Sequence, residues 1–237
     1  MKLLCSICAR AGSKGVKNKN IRQIQGIPLI GFSLIRAQQS GLFDTYAVSS
    51  DSDEILAAAR AIEPSVILIK RPAEMASDTA AKLPTIQHCF IETEKITGKK
   101  FDYLVDLDAT SPLRTVEDIS QAIELLKARP DADNLISVTP SRRTPYFSLL
   151  EDAPEGFIHL SKIPNPPIVR RQDAPNCYDI NGSIYVWERS KLLEVKTVLT
   201  PKTLPYIMPA ERSPDVDSEM DWRLVEMLIT ERIHEYR

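Results

Sequence analysis

Cysteine is scarce in this 237-residue chain, occurring only at positions 5, 8, 89 and 177. Cys5 and Cys8 alone have the C-x-x-C spacing of metal or redox work. Both fall in an apolar run that reads as a strand, where a separation of three puts side chains on opposite faces. They are expected to be buried thiols that pack as small hydrophobes. An excess of one charge is also missing: 30 Lys and Arg stand against 32 Asp and Glu, a formal net charge of −2. That balance excludes a global electrostatic footprint for nucleic acid or an anionic membrane, so a bound polyanion must be held by a local basic cluster. The N-terminal stretch MKLLCSICARAGSKG offers only about seven mostly apolar residues before Arg10, too few for a signal peptide or a membrane span. The expectation is a cytoplasmic protein with no membrane partner. Repeats and low-complexity stretches are absent too. What is present, 43% hydrophobic residues, suffices for one large domain or one domain with an appendage, and excludes disorder.

Apolar runs of strand length alternate with segments of helical period, the pattern of an α/β fold: a mostly parallel sheet with helices on both faces. Strands are expected at 2–8, 45–49, 65–69, 103–108, 134–139 and 183–187. Helices are expected at 29–40, entered through Pro28 and stopped by Gly41, at 54–62 behind Ser52 or Asp53, and at about 84–95. Two more follow, at 116–129 with a Thr115 and Asp118 capping box, and at about 218–233. One region breaks the alternation. The proline-dense stretch 140–181 reads as an arm inserted between 1–139 and 182–237, because so long a structureless excursion inside a compact domain is uncommon. Both a small β-rich subdomain and a dimerisation element fit it.

The loop CARAGSKGVKNKN, residues 8–20, follows the first strand. It brings Arg10, Gly12, Ser13, Lys14, Gly15, Lys17, Lys19 and Asn20 together at the strand end where α/β sheets bind ligands. Backbone N–H groups near small glycines can approach phosphate oxygens while the cations offset their charge. The loop matches neither G-x-x-x-x-G-K-[ST] nor G-x-G-x-x-G, which disfavours a kinase-type P-loop and a dinucleotide fingerprint. Near the other terminus, ERSPDVDSEMDW sets Asp215, Asp217 and Asp221 around a turn before the last helix. Two aspartates one residue apart can direct oxygens at one hard cation, and Mg²⁺ takes one or two carboxylates plus substrate phosphates. Asp217 is also open to a capping role, and Asp221 is the most structural of the three. In DLDATSPLR, Asp108 is expected to contact substrate, while Asp106, on the same strand face, is open to metal binding or to burial. In the arm, VRRQDAP presents Arg170, Arg171 and Gln172. A ligand-facing Arg171, with Gln172 beside it, would imply an acidic second substrate, since Arg suits planar recognition of a carboxylate.

Taken together, ARAGSKGVKNKN, RPAEMASDTA, ATSPLR, NGSIY and DVDSEMD resemble the acylneuraminate cytidylyltransferase family, in the family's order and over nearly the whole chain. The resemblance implies a nucleotidyltransferase fold of Rossmann-like type and a homodimer whose arm crosses to the partner. It also implies that the anomeric hydroxyl of an acidic nine-carbon sugar attacks the α-phosphate of CTP and releases pyrophosphate. Position by position, Arg10, Ser13, Lys14, Lys19 and Asn20 match the nucleotide-binding loop and Arg71 a further nucleotide contact. Asp215 and Asp217 match the Mg²⁺ ligands. Arg171 matches an arginine that meets the sugar carboxylate in trans, and Tyr185 a substrate-side position. Arg10, Lys14, Lys19 and Asp217 are the expected catalytic group. Sialic-acid members usually read Gln-Pro-Thr-Ser-Pro-Leu-Arg where this chain has Asp108-Ala109 before Thr110 to Arg114, and some carry a Lys where Phe147 falls. Those departures, with TAAKLP, RRTPYF and VRRQDAP, resemble the branch that activates legionaminic acid. Sialic acid itself and a nucleotide-sugar-dependent glycosyltransferase remain the alternative readings.

Overall fold

The computed structural model describes residues 1–12, 15–77 and 80–236. It begins with β1 (Leu3–Cys8), followed by a short hairpin of β2 (Gln23–Ile24) and β3 (Ile27–Pro28) that leads into α1 (Leu29–Ser40). Pro28 caps α1 and Gly41 stops it in the left-handed region at φ 63°, a conformation that costs glycine least. The alternation continues through β4 (Thr45–Ser50), α2 (Asp53–Ile62), β5 (Ile67–Lys70), α3 (Lys82–Thr97), β6 (Tyr103–Leu107), α4 (Val116–Lys127) and β7 (Asn134–Pro140). Beyond it come β8 (Leu150–Asp152), β9 (Ile158–Leu160), β10 (Tyr178–Glu188), α5 (Arg189–Glu194), β11 (Thr203–Ile207) and α6 (Glu219–Glu231).

Seven strands form one sheet in the order β11-β7-β10-β6-β1-β4-β5. Every neighbouring pair is parallel except those made by β10, which runs antiparallel to β6 and β7. The arm explains the reversal. The chain leaves β7 at Pro140 and returns at Tyr178, which pairs with Pro140, so β7 and β10 are the two legs of one long hairpin. A parallel neighbour would have needed a crossover helix. The sheet therefore resumes at Tyr178, before residue 182, and a bulge interrupts β10 between Ile180 and Tyr185.

Period-two alternation divides the core. Leu3, Cys5 and Ile7 of β1 pack with Ile30 and Leu34 of α1, Ile55 of α2 and Ile119 of α4. Leu4 joins Ile86 and Phe90 of α3, Trp187 of β10 and Leu192 of α5 on the other face. Cys5 thus lies with the first cluster and Cys8 packs against the second, on opposite faces as the strand period requires. Helix α6 lies beyond α1, with Trp222, Val225 and Ile229 against Leu29 and Phe32. The arm is built differently. No described residue between 141 and 180 is buried, and Phe157, Ile163 and Val169 are 68%, 74% and 86% exposed. Its one hairpin has no core of its own, which rules out a self-contained subdomain.

Candidate active site

The loop after β1 is tied down from both sides. Ala9 N–H donates to the Ser49 carbonyl at 3.0 Å and Ala11 N–H to Asp51 Oδ1 at 3.0 Å. Asn20 is buried and its Nδ2 donates to the Arg10 carbonyl at 2.9 Å, while its Oδ1 is buried without a protein partner, an acceptor left for a ligand. Lys19 Nζ reaches across to the acidic turn, donating to the Val216 carbonyl at 2.6 Å and pairing with Asp217 Oδ1 at 3.2 Å. At Gly15 a Cβ would sit 1.8 Å from the Asp217 carbonyl oxygen, so only glycine lets the two segments touch. The turn is held in addition by Val216 N–H to the Thr110 carbonyl at 2.9 Å. Chain segments some 200 residues apart are thereby joined into one wall.

That wall bounds a cavity of about 550 Å³, within the range of small-molecule sites. Arg10, Lys19, Asn20 and Arg71 line it together with Asp108, Asp215 and Asp217, so seven of the expected residues are gathered in one place. Ser13 and Lys14 lie outside the described residues. Arg71 is buried and held by Ser49, through Oγ at 3.3 Å and the carbonyl at 2.8 Å. Asp217 is exposed, and the helix cap is Ser218, whose hydroxyl and amide pair with Asp221 in a capping box. The capping role considered for Asp217 therefore falls to Ser218, because Asp221 completes the box three residues on. Burial pushes the Asp215 carboxyl above its ordinary pKa, and the charges of Asp108 and Asp217 add to the effect. Among the described residues no group of three or more His, Cys, Asp or Glu is arranged to hold a metal. Two mutually repelling carboxylates, Asp215 and Asp217, nevertheless fit Mg²⁺, which completes its shell with phosphates and water.

Asp106 is 1% exposed and accepts from Ser6 Oγ at 2.6 Å, and burial pushes its carboxyl pKa up. It belongs to the interior, which removes the metal reading. Asp108 stands at the rim: Thr110 donates to Oδ1 through its hydroxyl at 3.0 Å and its amide at 3.3 Å, and Lys82 Nζ lies 2.7 Å from Oδ2. Burial would raise the Asp108 pKa, but the Lys82 charge more than offsets it and keeps the carboxyl below its ordinary value. The same aspartate is fixed from behind. Arg114, fully buried, donates to its carbonyl and to Ser33 and Ser183 hydroxyls at 2.7 and 2.9 Å, and desolvation pulls the guanidinium pKa down to about 10. Arg114 is scaffold for Asp108.

Lys82 is the charged residue of the cavity lining that sequence reasoning missed. Its helix was expected from Pro84, whereas α3 begins two residues earlier, with Pro84 tolerated in the first turn. Tyr185, 6% exposed, lies beneath it with the ring centroid 4.0 Å from Nζ. Arg171 and Gln172 are not part of the cavity. They sit exposed in a helical turn of the arm, Arg171–Asp173, where Arg171 donates to the Arg142 carbonyl at 2.8 Å. Phe147 is in the arm as well, half-buried.

A sequence profile of the family described as Cytidylyltransferase matches residues 4–153. The chain is 44% identical to the post-translational flagellin modification protein B of Campylobacter coli, over 97% of this chain and 96% of that protein. It is 43% identical to the CMP-N,N'-diacetyllegionaminic acid synthase of Campylobacter jejuni, over 96% and 95%. The N-acylneuraminate cytidylyltransferase of Streptococcus agalactiae is 31% identical over 94% of this chain and 52% of its own length. In fold, the chain superposes on CMP:2-keto-3-deoxy-manno-octonic acid synthetase, solved with CTP, at a TM-score of 0.68 and 16% identity, covering 98% and 100%.

Proposed function

This chain belongs to the cytidylyltransferase family, and we propose that it transfers CMP from CTP to the anomeric hydroxyl of a nine-carbon nonulosonic acid. N,N'-diacetyllegionaminic acid is the favoured acceptor, in line with a relative that matches nearly end to end. The observation that carries the reading is the wall made by Lys19 on Asp217 and Gly15 against the same turn, which sets the cations of the basic loop beside the carboxylates of the acidic turn. The anomeric hydroxyl gives up its proton to solvent as its oxygen forms a bond to the α-phosphorus, the bond from that phosphorus to the bridging oxygen breaks, and pyrophosphate leaves with the electron pair. Arg10 and Lys19 offset the charge that develops on the α-phosphate and the leaving group. Lys14 and the glycine amides hold the triphosphate, with Ser13 and Asn20, and Arg71 supports the nucleoside side. Asp215 and Asp217 would hold Mg²⁺, whose bound charge orients the phosphates and eases in-line displacement.

The second half of the proposal concerns assembly. An arm with no core and strongly exposed apolar residues calls for cover, which a second copy supplies in a homodimer. Arg171 and Gln172, remote from their own cavity, would then meet the sugar carboxylate of the partner's site. No described helix is long and apolar enough to cross a membrane, and a CTP-dependent reaction suits the cytoplasm.

A pyrophosphate-release assay tests the reading. CTP, ATP, GTP and UTP are each combined with legionaminic, sialic, pseudaminic and 3-deoxy-octulosonic acids, with Mg²⁺ and with a chelator. Release with CTP and a nine-carbon acid, abolished by the chelator, is expected. Preference for the eight-carbon acid, or nucleotide release only with a nucleotide sugar and acceptor, contradicts it.

A further inference from the structure

The pair Lys82–Asp108 does something that neither residue does alone. Lys82 Nζ is 2.7 Å from Asp108 Oδ2 and 3.9 Å from Asp106 Oδ2, rests on the Tyr185 ring, lines the cavity and is 30% exposed. Asp108 Oδ1 is already engaged by Thr110. An ammonium has three N–H donors and no acceptor. Among the described residues one of these is given to Asp108 and a second is taken up by Tyr185, which leaves one for whatever enters the cavity. The carboxylate is therefore largely the anchor of Lys82, and the group offered to a ligand is the cation.

Position decides which ligand. Asp108 follows β6 and Tyr185 lies on β10, on one side of β1 in the sheet order. Arg71 and its partner Ser49 belong to the opposite side, at β4 and β5. With the basic loop of β1 between them holding phosphates, the Lys82 end of the cavity is the end for the second substrate.

We propose that Lys82, pinned by Asp108 and seated on Tyr185, is a specificity-determining contact that donates to an acyl carbonyl of the sugar, selecting N-acylated acids over their free-amine forms. The inference deepens the sugar-activation reading and rests on it. An amide carbonyl accepts from the ammonium. A free amino group, protonated near neutrality, would find the Asp108 charge already offset and a like charge facing it.

The experiment compares kcat/KM for N,N'-diacetyllegionaminic acid and for the same acid with its amines free, in wild type, Lys82→Met and Lys82→Arg, with the KM for CTP as the measure of an intact nucleotide site. Loss of one charge-assisted hydrogen bond corresponds to about 10- to 100-fold, so Lys82→Met should raise the KM for the acylated acid by roughly that factor. It should also bring the acyl-to-amine preference close to one, with the KM for CTP within about twofold. Lys82→Arg should recover part of the preference. An unchanged preference in Lys82→Met, or a rise in KM confined to CTP, overturns the assignment while leaving cytidylyl transfer intact. Wild-type enzyme that turns over no nonulosonic acid overturns both.

Discussion

Gly15 shows how much of this site hangs on a single atom. A methyl group there would meet the Asp217 carbonyl at 1.8 Å, so Gly15→Ala must push the basic loop away from the acidic turn and break the register of Lys19 with Asp217. A displacement of about 1 Å at such a site costs on the order of 100-fold in rate, and that loss of kcat/KM is expected in steady-state pyrophosphate release; near wild-type kinetics would show that the contact is dispensable. The cations and carboxylates of this contact were legible in the sequence because charged residues crowded between apolar runs have few other uses. Its glycine was legible only as a phosphate neighbour. Lys82 was hidden by a misplaced helix start. Arg114 could not be sorted into ligand or scaffold, because the hydroxyls that claim it, Ser33 and Ser183, lie far away in sequence.

At the scale of elements, the acidic turn is moored to helix α4. Asp118, third residue of the Thr115 capping box and 1% exposed, also receives Arg212 through two bonds of 2.8 and 2.9 Å. Arg212 comes from the helical turn Ala210–Arg212 that immediately precedes Asp215 and Asp217. Burial raises the Asp118 pKa, but bonds from Arg212 and Thr115 outweigh it and hold the carboxyl below its usual range. Arg212→Ala is expected to cost about 2 kcal/mol, less than a fully buried pair because Arg212 is partly exposed. A depressed folded-state pKa gives stability that is present above the unfolded value of about 3.9 and is lost as pH falls through the folded one. The gap between wild type and Arg212→Ala in urea titrations should thus be full above about pH 5 and shrink below about pH 4; a gap constant from pH 7 to 3 would contradict this role. The Thr115–Asp118 box was readable because its spacing is local. The direction of β10 was not, since it depends on where the arm returns. Strand β11 escaped notice because it is a short edge strand carrying Pro205, mostly half-exposed, and so lacks the apolar signal of its neighbours.

For the whole molecule, the separation of Arg171 from its own cavity makes assembly testable by mixing. Asp217→Ala and Arg171→Ala should each be nearly inactive while folded. In a homodimer with sites completed in trans, exchange between the two variants rebuilds one intact site per mixed dimer, so about a quarter of wild-type activity should return. No recovery after exchange, despite both variants retaining their CTP-binding or sheet structure, would mean that Arg171 serves its own chain or none. The central claim is the bond that forms, between the anomeric oxygen and the α-phosphorus of CTP. Its most direct measurement is mass spectrometry of the products made from CTP and freshly prepared acid carrying ¹⁸O at the anomeric hydroxyl. The label should be found in the bridge of the CMP-sugar with unlabelled pyrophosphate beside it; an unlabelled CMP-sugar, or no pyrophosphate, would contradict the account.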